Sequence, residues 1–172
     1  EFEVVKVVAG KGNIYIKDAS GHGLIYDFTL AGQLKDGDRV KGFVGISSPY
    51  SGLPEAKPYN VTYEDLTITA GTPAEPYDFT STVIAETDIN KYIVFQNVEI
   101  TENTDMSTKP TLTIGGNSVK FYNQFGVSKT LEAGKTYDIY GFVAVYEKDG
   151  NRTLQAYFYE AVQDGEVIQK YT

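Results

Sequence analysis

"LKDGDRVKGFVGI" (Leu34–Ile46) places a charged, glycine-marked turn directly before an alternating segment. "LEAGKTYDIYGFVAV" (Leu131–Val145) repeats that arrangement late in the chain. Gly42-Phe43-Val44 aligns with Gly141-Phe142-Val143. With side chains alternating every second residue, Val40, Gly42, Val44 and Ile46 fall on one face. Ile139, Gly141, Val143 and Val145 fall on the matching face of the second stretch. Both sets are expected to line a core. Phe43 and Phe142 then point outward. A glycine inside such a strand permits a bulge or a sharp bend, which small curled sheets need. Leu34 and Leu131 are placed to plug each core just ahead of the turn.

Working outward, the first copy reads as five strands. They are carried by "EFEVVKVVAG", "IYIKD", "LIYDF", "RVKGFVGI" and "VTYEDLTITAG", with "SSPYSGLPEAKPYN" as a loop. "TLAGQLKDGD" is too short and broken to read as a firm helix. The second copy is carried by "KYIVFQNVEIT", "TLTIGG", "NSVKFYNQF", "TYDIYGFVAVYE" and "RTLQAYFYEAVQ". Its last two strands are joined by "KDGN", where Asp149-Gly150 tolerates positive φ. Between the copies "TPAEPYDFTST" carries Pro73 and Pro76 and reads as a stiff linker. The expected organisation is a domain over 1–71, a linker over 72–82 and a divergent second copy over 83–172.

Composition agrees with sheet. Of 172 residues, 14 are Tyr and 9 are Phe, and such side chains suit pleated surfaces. Cysteine is absent, which excludes disulfides, thiolate nucleophiles and cysteine-ligated metals. No apolar run approaches the roughly 20 residues of a membrane-spanning helix. The chain begins at Glu1 without Met, and is read as a mature or trimmed form whose export signal has been removed. The formal charge is -8, and only Arg39 and Arg152 are arginines. That balance disfavours a polyanion as ligand.

Five strands with a connector between the third and fourth fit an all-β fold of two tandem five-stranded OB-fold-like Greek-key barrels. The first copy resembles the OB-like domains of exported gut Bacteroidetes proteins, described there as nucleic-acid-binding. The resemblance rests on "IYIKDASGHGLIYDF" (Ile14–Phe28), "LKDGDRVKGFVGI" and "SGLPE" (Ser51–Glu55). It implies that Asp18 and Gly21 to Gly23 form the turn between strands two and three, and that Gly37-Asp38 leads into strand four. It also implies a periplasmic or cell-surface location in a Gram-negative bacterium. It names no ligand, and the second copy lacks the aspartate-glycine turn pattern.

Catalytic groups are sparse. His22 is the only histidine, and in "SGHGL" it reads as a solvated turn residue rather than a base or ligand. Ser47, Ser48 and Ser51 lie outside any nucleophile-elbow motif. "AGKGN" lacks the Lys-Ser/Thr ending of a phosphate loop. Asp36 and Asp38 are weak candidates for a hard cation, as are Glu102 and Asp105. A solvated turn explains the first pair as well. No metal site, cofactor or catalytic residue is assigned.

The remaining signal is an aromatic and basic surface on strands two and three of the first copy. If Ile14 and Ile16 are core, Tyr15 and Lys17 face outward. Phe43 joins them by the phase above, with Tyr26 nearby. Lys11, Lys35, Lys41 and Arg39 would extend a basic rim. The candidate ligand-binding set is Tyr15, Lys17, Tyr26, Phe43, Lys41 and Arg39. Such a face would stack a sugar, take a protein partner or stack single-stranded bases. It would equally pack against a neighbouring domain. The expected function is a non-catalytic exported binding or accessory module for a glycan or protein. Single-stranded nucleic-acid binding and a structural spacer remain alternatives.

Overall fold

The computed structural model describes residues 1–164; the end of the expected second copy, 165–172, lies outside the described residues. The chain is all-β with two large sheets. Its first strands are β1 (Phe2–Val8), β2 (Asn13–Asp18), β3 (Gly21–Tyr26), β4 (Arg39–Lys41), β5 (Gly45–Ser47), β6 (Ala56–Pro58) and β7 (Thr67–Thr69). They form one sheet in the order β5-β6-β3-β2-β1-β4-β7. The later strands are β8 (Tyr77–Asp78), β9 (Tyr92–Glu99), β10 (Thr104–Asp105), β11 (Thr111–Ile114), β12 (Asn117–Tyr122), β13 (Thr130–Leu131), β14 (Thr136–Lys148) and β15 (Asn151–Gln163). Their sheet runs β11-β12-β15-β14-β9-β8, with β10 and β13 as a separate pair.

Contacts divide the chain into two compact units. The first holds Glu1–Glu75, Glu86–Tyr92 and Val145–Thr153; the second holds Pro76–Ala85, Ile93–Ala144 and the chain from Leu154. The segment expected as a linker contains β8, which pairs parallel with β9. Another strand, β6, forms within the proline-bearing stretch expected as a loop, and the expected strand over "VTYEDLTITAG" shortens to β7.

In the first unit the turn "LKDGD" is locked onto β1. Val4 donates its N–H to the Asp38 carbonyl, and Gly37 donates to the Val4 carbonyl, both at 2.8 Å. The Asp36 carboxylate accepts from Val7 N–H at 2.8 Å and from Lys6 Nζ at 2.9 Å. Asp38 is buried and its carboxylate accepts from Lys35 N–H at 2.9 Å. The charged turn thus satisfies β1 where its register with β2 shifts, between Val4 and Lys6. Both carboxylates are committed to backbone and lysine donors, which corrects their reading as solvated or cation-binding groups.

Phe2, Val4, Ile14, Ile25, Leu30, Ala31, Leu34 and Val40 form the core of this unit. The four-residue helix α1 (Phe28–Ala31) contributes Leu30 and Ala31, and its N-cap Asp27 accepts from Leu30 N–H at 2.8 Å. The strand expected over "RVKGFVGI" breaks at Gly42, whose φ is 93°. Positive φ interrupts the pleat. Side chains after it change sides: Phe43 packs against the core, while Val44 and Ile46 are 54% and 53% exposed. The expectation that Val44 and Ile46 line the core is therefore corrected. The break also curls the sheet into a half-barrel. β4 and β5 are consecutive segments, yet β4 pairs with β1 and β7 while β5 pairs with β6. Among the described residues no ladder joins β5 to β7, so the sheet order stays open.

In the second unit Ile139, Gly141 and Val143 are buried as expected, and so are Phe142 and Ala144. The middle of β14 is covered on both faces, which corrects the outward placement of Phe142. Its ring meets Phe125 and Tyr159 edge-on, at 5.9 and 5.5 Å between centroids. Gly141 is there because a Cβ would stand 2.5 Å from the Tyr157 carbonyl oxygen. Leu131 is fully buried, matching Leu34. The Asp149-Gly150 turn has positive φ at both residues, 53° and 79°.

Candidate functional site

Strand register aligns His22, Lys17, Glu3, Arg39 and Thr69 in one row across β3, β2, β1, β4 and β7. Lys17 and Arg39 thus share a row, with Glu3 between them. They line a shallow cleft of about 280 Å³ with Glu1, Phe2, Glu3, Asp18 and Ala19. Two cations face three carboxylates there. Lys41, two residues beyond Arg39, lies 4.0 Å from the Glu1 carboxylate. The Ser20 hydroxyl and amide, with the Gly21 amide, hold the Asp18 carboxyl below its ordinary range, so it stays charged. Carboxylates alternate with the basic residues, so the row offers no continuous positive stripe.

The aromatic half of the expected surface does not assemble. Tyr15 is 1% exposed and Asn13 Nδ2 donates to its hydroxyl at 3.3 Å. β2 is covered on both faces at Ile14 and Tyr15, so its alternation carried no inside–outside signal. Tyr26 pairs with Asn13 and packs edge-on against Phe28 at 5.6 Å. It stands four residues from His22 along β3, roughly 13 Å at 3.3 Å per residue. Phe43 meets Phe2 edge-on and belongs to the core. His22 is a half-buried strand residue, not a solvated turn. Burial lowers its pKa first, with Lys17 and Lys91 adding to the shift, so the imidazole is neutral at pH 7.

A different surface is present on β5 and β6. Gly45 pairs with Pro58, Ile46 with Lys57 and Ser47 with Ala56. Val44 O accepts from Tyr59 N–H at 2.9 Å, and Ser48 N–H donates to Glu55 O at 2.8 Å. Val44, Ile46 and Ser48 therefore share one face with Tyr59, Lys57 and Glu55. Val44, Ile46 and Tyr59 are each more than half exposed, as is Tyr50 in the following loop. That loop is fixed. Tyr50 and Leu53 exchange backbone hydrogen bonds at 3.0 and 2.8 Å, and Leu53 is buried. Ser51 O accepts from Glu147 N–H at 2.6 Å. Arg152 clamps the Glu86 carboxylate with two bonds, at 2.7 and 2.8 Å, and reaches Glu147 at 3.3 Å. Burial raises the Glu55 pKa above the ordinary range, opposed by Lys57.

One sequence signal points to this face. Gly42 to Pro54 is the longest stretch of the chain without Asp, Glu, Lys or Arg. A solvated strand and loop of that length ordinarily carry charge.

No protein-family model matches the chain, and no curated protein matches it. Among the described residues no group of three or more His, Cys, Asp or Glu is placed to hold a metal ion. No helix among them is long and apolar enough to cross a membrane.

Proposed function

We propose that this chain is a non-catalytic binding module built from two OB-like units, which takes a glycan or protein ligand on an exposed face of the first unit. The observation that carries this is the fixed β5–β6 surface bearing the exposed side chains of Val44, Ile46, Tyr59 and Tyr50. Exposed apolar patches of this kind mark interaction sites. The OB-like reading draws support from strand order. Taking β4 with β5 as a fourth strand and β6 with β7 as a fifth, the first unit runs 1-2-3-5-4. The second runs in the same circular order through β9, β11, β12, β14 and β15. In both, the third and fifth strands pair parallel. Export from a Gram-negative cell rests on the resemblance in the first copy alone. Detection of a cleaved secretory segment at the start of the full-length gene product tests it.

A glycan array and an immobilised peptide panel test the binding reading together. The expected result is a ligand whose affinity falls on V44K/I46K and is unchanged on K17A/R39A. Two blank screens with a folded protein overturn it. The nucleic-acid reading is disfavoured by Glu3 within the basic row and by Glu1 and Asp18 in the same cleft. A structural spacer would bury the outward Phe43 and Phe142 in an interface. Each instead packs on aromatic rings of its own unit.

A further inference from the structure

We infer that β5 is a docking edge for an extended peptide segment of a partner protein, which adds to the half-barrel as a further strand. This deepens the binding-module reading and rests on it. β5 is the terminal strand of its sheet. The bonds from Tyr59 to Val44 and from Ser48 to Glu55 make residues 44, 46 and 48 the ones that bond to β6. Gly45 and Ser47 therefore turn their N–H and C=O groups away from β6, and no hydrogen bond uses them among the described residues. Pro58, which has no N–H, sits opposite Gly45 where no donor is required.

These groups recur every second residue, roughly 6.6 Å apart, which is the repeat of another strand. The β5 side chains beside them are the branched aliphatics Val44 and Ile46, with Tyr59 opposite Val44 on the same face, and this row suits alternating apolar side chains of an added strand. Lys57 lies beside Ile46, makes no ion pair among the described residues, and suits one acidic residue in the segment. A second copy of the chain fits less well. The three-residue edge is about 10 Å long, whereas stable dimers bury about 1,200 Å² or more. Each copy also carries a formal charge of -8. The mode is main-chain pairing for affinity, with alternate side chains for selection.

Panning a displayed random heptapeptide library on the full chain tests this. The expected enrichment is apolar residues at every second position with a single acid. A synthetic peptide of that pattern is expected to bind, and N-methylation of its edge-facing amides to weaken it about fivefold per bond. N-methylation of the intervening amides is expected to leave affinity within twofold. Ser47→Pro removes an edge donor without touching the β6 ladder and is expected to lose binding, with folding checked by circular dichroism. If that variant misfolds, the N-methyl series on the unmodified protein decides. Absence of enrichment, or equal effects of the two N-methyl sets, overturns the proposal. A positive glycan array alongside blank panning overturns it while leaving the binding-module reading intact. Self-association abolished by Ile46→Lys, with blank panning, assigns the edge to a second copy and also overturns it.

Discussion

The ring of Phe43 stands edge-on to that of Phe2, with centroids 5.5 Å apart and planes at 82°. The outward position expected of Phe43 belongs instead to Val44. Phe43→Ala is expected to destabilise the protein by about 2 kcal/mol, less than a fully buried phenylalanine because the ring is only partly covered. Val44→Ala is expected to stay within about 0.5 kcal/mol. Denaturant midpoints check both. The reverse ranking would place Val44, not Phe43, against the core.

Gly141 and Gly134 separate two kinds of glycine. A Cβ on Gly141 would overlap the Tyr157 carbonyl oxygen at 2.5 Å, inside the sheet. Gly134 has φ 83° but open space around it. Gly141→Ala is expected to cost about 3 kcal/mol by overpacking a central strand. Gly134→Ala is expected to cost about 1 kcal/mol by strain in the left-handed region. Thermal unfolding of the two variants in parallel measures the difference.

Glu55 is expected to weaken the fold at neutral pH. Burial raises its folded pKa above the ordinary glutamate range, so the folded state binds the proton more tightly than the unfolded state. The resulting penalty is fully present above the raised pKa and disappears as pH falls through it to the unfolded value. Glu55→Gln is expected to raise the melting temperature at pH 7 and to give no gain below about pH 4. A melting series across that range checks the sign. A gain that persists in acid would assign the effect to something other than charge.

Asp78 has the opposite sign. Thr80 donates to its carboxylate through both hydroxyl and amide, which lowers its pKa from 3.8. The same hydroxyl oxygen accepts from Gln96 N–H at 2.8 Å, tying the end of β8 to β9. This contribution is present above the unfolded pKa and is lost as pH falls through the lowered one. Thr80→Val is expected to cost about 1 kcal/mol at pH 7 and to flatten the acid limb of the stability curve. Urea titrations at pH 7 and pH 3 test this, and an unchanged acid limb would count against the assigned hydrogen bonds.

The Lys17–Glu3–Arg39 row makes a further outcome expected. The unmodified protein should show no mobility shift with mixed single-stranded oligonucleotides at low salt. E1Q/E3Q should gain weak binding that falls with added salt. Tight binding by the unmodified protein would return the nucleic-acid reading to first place.

The strands of both copies were largely legible because their alternation and turn residues agree. Leu34, Leu131 and the Asp149-Gly150 hairpin stand where the sequence places them. The site was less legible, for two physical reasons. Tyr15 and Phe142 occupy strands covered on both faces, where alternation no longer distinguishes inside from outside. Gly42 adopts positive φ, so counting by twos from Val40 carries the wrong parity beyond it. The short strand β6 starts two residues after Pro54 and ends on Pro58, where local propensity argues against any ladder. Its pairing with β3 and β5 is a tertiary outcome that no local pattern announces.

The first unit recruits Glu86–Tyr92 and also the hairpin tip Val145–Thr153, which the ribosome delivers long after Glu75. A nascent chain cut anywhere in the expected linker would be missing both pieces. Subcloning at that point is expected to yield two unfinished products rather than two domains. Translation must pass Thr153 before the opening segment can mature.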